Sequence, residues 1–111
     1  MIKILRLGGK YAPVLLCDIC GIAIEDAENA AAVNNFNPET VNDGDLLDVM
    51  YTHKGKCHNQ AEALLTARGV RVAGWLELQH HLVNLIYNIG LSPEKLRGFD
   101  EVLKRSGINE M

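Results

Sequence analysis

Cys17-Asp18-Ile19-Cys20-Gly21 and, further along, His53-Lys54-Gly55-Lys56-Cys57 restrict the fold of this chain more than any other feature. Together they use all three cysteines, and 32 residues separate Cys20 from His53. Thiolate and imidazole are common structural ligands for a tetrahedral metal, and a Cys-x-x-Cys turn supplies two of them at one edge of the tetrahedron. Gly21 permits the positive φ such a turn needs, leaving backbone N–H groups free to face the thiolates. The second edge must come from a distant part of the chain. The expected site is therefore Cys17, Cys20, His53 and Cys57, with Zn2+ as the metal.

His58, adjacent to Cys57, is the alternative fourth ligand. Neighbouring side chains on a helix diverge by roughly 100°, which makes joint ligation by Cys57 and His58 awkward and favours His53. Cys57 is expected in the first turn of a helix, where the dipole favours a thiolate. A redox role for Cys17 and Cys20 fits less well, because the Gly21-Ile22-Ala23-Ile24 that follows reads as a strand. It would also leave His53 and Cys57 unused. A catalytic metal needs an open position, whereas four good ligands close this one. Iron in a rubredoxin-like site would call for a fourth cysteine.

Size and charge limit what surrounds the site. A chain of 111 residues with 48% apolar and 5% aromatic residues can build only a modest core, the situation in which a metal staple contributes most. The net charge is −3, and acidic residues outnumber basic ones through Leu65. Affinity for nucleic acid rests on neutralising phosphates, so this balance disfavours DNA or RNA as partner. No run approaches a membrane-spanning length. The start, Met1-Ile2-Lys3-Ile4, has no leader-like apolar stretch. An odd number of cysteines fits a reducing compartment, and the expected location is cytoplasmic.

Alternating apolar and basic residues over 2–7 indicate a half-buried strand. Gly8 and Gly9 turn the chain into a second strand over 12–16, which leads into the Cys17 turn. Further strands are expected over 30–36 and 46–52, separated by a polar loop over 34–45. A helix should follow over 57–68 and stop at Gly69. From Trp75 to Ile89, the residues Trp75, Leu78, Leu82, Leu85, Ile86 and Ile89 fall on one helical face. Glu77, His80, His81, Asn84 and Asn88 fall on the other. Glu77, His80 and His81 read as a solvated face with a weak Glu77–His81 pair rather than a second metal site. Ser92-Pro93-Glu94 starts a last helix, buried through Leu96, Phe99, Val102 and Leu103 and closed by Gly107.

This outline of knuckle, strands and helix-borne second ligand pair resembles a treble-clef zinc finger, similar in ligand type to LIM modules. It is closer to small bacterial proteins of uncharacterised family that share Cys17, Asp18, Cys20 and Gly21 followed by His53, Lys54, Gly55 and Cys57. The likeness covers about residues 13–68. It departs from LIM modules in having one site, a wider His–Cys gap and a long insert before His53, so it implies a fold and a structural metal without an assigned activity.

The expected architecture is α+β: a treble-clef-like zinc unit with short antiparallel strands, followed by two to three helices. Residues 1–69 would form the strand-rich zinc-binding unit, and residues 70–111 a helical extension packed on it. The expected function is that of a non-enzymatic interaction or regulatory adaptor working through a protein partner or self-association. The alternative is a DNA-binding regulator that uses the last two helices as a helix-turn-helix, with Lys95, Arg97, Lys104 and Arg105 as its basic residues.

Overall fold

The computed structural model of the chain describes residues 1–34, 48–70 and 74–106, with side chains through residue 100. Most of the polar loop expected over 34–45 lies outside the described residues, as do Phe36, Leu46 and Gly107. The side chains of Val102, Leu103, Lys104 and Arg105 also lie outside them.

Among the described residues, two antiparallel sheets and three α-helices make up an α+β arrangement. Strands β1 (Ile2–Leu7) and β2 (Lys10–Leu15) form a hairpin in which Leu7 opposes Lys10 across a two-residue Gly8-Gly9 loop. Both glycines have positive φ, as a tight hairpin loop demands. The second sheet runs in the order β4 (Met50–His53), β3 (Ala30–Asn34) and β5 (Gly74–Glu77), with β3 at the centre. Helix α1 (Lys56–Ala67) packs on β3 and β4, and α2 (Leu78–Asn88) packs on β3 and β5. Helix α3 (Pro93–Ser106) starts where Ser92 Oγ accepts from the N–H of Lys95 at 3.2 Å, as the sequence indicates.

The alanine-rich sequence of β3 explains its central position. Ala30, Ala31, Ala32 and Val33 are completely buried, so both faces of the strand are covered. Alanine has little intrinsic strand preference, and here packing overrides it. On one face Ala31 and Val33 meet Ala61 and Leu65 of α1, with Ile19, Met50 and Val70 around them. Ala32 lies opposite Tyr51 in register, and Tyr51 reaches His81 of α2. The other face is therefore the one α2 covers.

Three expectations need correction. Trp75, Leu76 and Glu77 belong to β5 rather than to a helix, because they pair with Val33, Ala32 and Ala31 and give β3 its second neighbour. The helix starts only at Leu78. Of the expected buried stripe, Leu78 is sealed, whereas Trp75, Leu85 and Ile89 are exposed; so are Leu96 and Phe99 in α3. The polar face is also not simply solvated. Glu77 forms an ion pair with Lys54, and the Tyr51 hydroxyl and His81 Nε2 lie 3.1 Å apart. No Glu77–His81 pair forms. Burial pushes His81 below its ordinary pKa, while burial and the charge of Asp18 push Tyr51 up.

The hairpin differs from expectation as well. Its Ile2, Ile4 and Tyr11 side chains are exposed, whereas Ala12 is buried and Leu5 half-buried. Among the described residues no helix is long and apolar enough to cross a membrane.

Candidate metal centre

Cys17 and Cys20 flank a turn at the end of the second hairpin strand. Leu16 bridges to Ala23 on the return. The Cys17 N–H donates to the Ile22 carbonyl at 2.9 Å, and the Gly21 N–H returns to the Cys17 carbonyl at 2.9 Å. Gly21 has φ +75°, a conformation strained for other residues. The Ile19 N–H points at Cys17 Sγ from 3.4 Å, so the knuckle presents a donor to its buried sulfur as the sequence suggests.

The second pair arrives on two elements. His53 ends β4, and Cys57 is the second residue of α1. Gly55, at φ +82°, makes the sharp change of direction between them. Glycine is needed there because the chain passes from strand to helix within two residues. The Lys54 N–H anchors this corner to the Asn29 carbonyl at 2.8 Å.

One ligand atom from each of Cys17, Cys20, His53 and Cys57 lies within 4.8 Å of all the others. Cys20 Sγ and His53 Nδ1 are 3.4 Å apart. For bond lengths usual in zinc sites, the S–N edge of a tetrahedron is about 3.6 Å, so the separations suit a single ion between the four donors. His53 Nε2 lies 3.3 Å from the Ala23 carbonyl. With its proton on Nε2 donated there, the ring turns Nδ1 towards the sulfurs as an acceptor. Fixing the tautomer from behind is the usual support for a metal-binding imidazole.

His58 is not part of the cluster. Its Nε2 bonds Glu62 Oε1 at 2.9 Å, and its ring meets Trp75 edge-on with centroids 5.0 Å apart. This follows from the helical divergence of consecutive side chains.

The thiols respond unequally to their surroundings. Burial would raise Cys17, but backbone N–H groups of Cys20, His53 and Ile19, with the Cys20 thiol, outweigh it and hold Cys17 at about 6. Cys57 moves the other way. Burial, hydrogen bonds to Cys17 and Cys20, and the charge on those two push it up to about 11. The helix-dipole expectation for Cys57 is thus reversed, because burial, with the neighbouring sulfurs adding to it, outweighs the partial charge of a helix end. Three sulfurs this close cannot all ionise by themselves. A divalent cation among them would remove that penalty, which is the electrostatic fit between these residues and a metal ion.

Two groups support the site without being ligands, and the sequence assigns a role to neither. One is the Ala23 carbonyl, a main-chain atom that no sequence pattern marks. The other is Asp18, which makes two bonds to Tyr51 on β4: its N–H donates to the Tyr51 carbonyl at 2.8 Å, and its Oδ2 accepts from the Tyr51 N–H at 2.7 Å.

No protein family matches the chain, and neither a curated protein nor a solved structure does.

Proposed function

We propose that Cys17, Cys20, His53 and Cys57 hold a structural Zn2+ in a treble-clef-like arrangement, and that the protein is a non-enzymatic interaction or regulatory adaptor. The observation that carries this reading is the convergence of four soft or borderline donors within 4.8 Å. Zinc suits that donor set without demanding a particular electronic geometry. Four protein ligands fill the tetrahedron and leave no position for water or substrate, which argues for a structural role. The exposed apolar side chains of Tyr87, Ile89, Leu96 and Phe99 support contact with a protein partner or a second copy.

Cobalt substitution tests the closed site. The Co2+ form should show intense visible absorption from a four-coordinate, thiolate-rich centre, and added azide or thiocyanate should leave the spectrum unchanged. A shift on adding either anion would reveal an exchangeable position and turn the reading towards catalysis.

A further inference from the structure

Asp18 lies between the two knuckle cysteines, yet its side chain faces away from the ligand cluster towards β4. Among the described residues that strand is an edge of its sheet, since β3 covers only one side of it. Edge-strand backbone groups need partners. Among the described residues Tyr51 meets that need through Asp18: its carbonyl accepts the Asp18 N–H at 2.8 Å, and its N–H donates to Asp18 Oδ2 at 2.7 Å. The carboxylate therefore acts as the missing strand's carbonyl. Its other oxygen, Oδ1, lies 3.0 Å from the Met1 amino group.

The position of this contact gives it a consequence for the metal. Asp18 is next to Cys17, and Tyr51 is two residues before His53. One two-point contact thus joins the knuckle to the strand that carries the imidazole, across a long stretch of intervening chain. We infer that Asp18 is a positioning residue for the metal centre: it clamps the Cys17–Cys20 turn against β4 so that His53 meets the cysteines already in register. This inference rests on the metal reading and deepens it. Bringing distant ligands together costs chain entropy, and a clamp formed before the metal arrives removes part of that cost from binding. Towards Tyr51 the clamp needs an acceptor oxygen rather than a charge; the charge serves the exposed Met1 amino group on the other side.

The test is Co2+ binding, measured by chelator competition on the full chain and on the variants Asp18→Ala, Asp18→Asn, His53→Ala and Asp18→Ala/His53→Ala. Removing a supporting hydrogen bond behind a metal site costs about tenfold or more in affinity, so Asp18→Ala should bind about tenfold more weakly, whereas Asp18→Asn, which keeps an acceptor oxygen, should stay within about threefold of the natural chain. Because the clamp acts through His53, the loss from Asp18→Ala should largely vanish in the His53→Ala background. A general loss of stability would instead persist there. Natural affinity in Asp18→Ala, equal loss in Asp18→Asn, or simple multiplication of the two single effects would each overturn the inference while leaving the metal reading intact. Failure of the natural chain to take up Co2+ would overturn both.

Discussion

Around β3, the side chains of Val33, Leu65 and Leu78 are almost wholly withdrawn from water, while in α2, α3 and the turn between them Tyr87, Ile89 and Phe99 remain more than half exposed. The two regions have similar raw material, since each is rich in aliphatic residues at regular spacing. They differ in how they are held. The β3 region is closed by two helices, a second edge strand and the ligand corner, and small alanines let those helices approach. The α2–α3 region presents apolar residues that the described fold does not cover. Periodicity alone does not distinguish the two, because it marks an apolar face without saying what lies against it. The contrast separates a part whose apolar side chains are packed from a part whose apolar side chains stay exposed among the described residues.

Substitutions can test that separation. Leu65→Ala should be the most damaging of three, costing about 3 kcal/mol or more, because a sealed leucine loses both its transfer energy and the packing around it. Chemical denaturation of the metal-loaded protein would measure this, and a loss below about 1 kcal/mol would mean that the α1–β3 face is loosely packed. Thr52→Val should act in the opposite direction. Thr52 is fully buried and its Oγ1 has no hydrogen-bond partner among the described residues. An isosteric methyl removes that unmet need and should add about 1 kcal/mol by the same measurement. A loss on Thr52→Val would point to a polar partner for the hydroxyl. Phe99→Ser should have the smallest effect, within about 0.5 kcal/mol for the isolated chain. A large loss there would show that α3 is packed after all.

Local residue chemistry made much of this arrangement legible. The order of the first four strands and α1, the Ser92 cap and the four clustered ligands all follow from turn chemistry, patterning and ligand spacing. Preference for His53 over His58 needed only helical geometry, and the structure turns His58 away towards Glu62 and Trp75. Other features depend on partners remote in sequence. Trp75 to Glu77 continue a plausible helical spacing, yet they become a strand because β3 offers them a pairing edge. His81 sits on what reads as a polar face, but Tyr51 is brought to it by the sheet register. Cys57 sits where a helix end favours ionisation, yet burial and two neighbouring sulfurs reverse the shift. Long-range pairing and burial against remote parts of the chain decided each of these, and neither has a local signature.

The decisive measurement is metal content followed by chelation. Purified under reducing conditions, the protein should carry one Zn2+ per chain. Removing it should unfold the ligand-bearing part, since structural zinc contributes on the order of 10 kcal/mol to the folding of zinc-finger peptides. Verified removal of the metal with no change in thermal denaturation would contradict the structural-zinc reading.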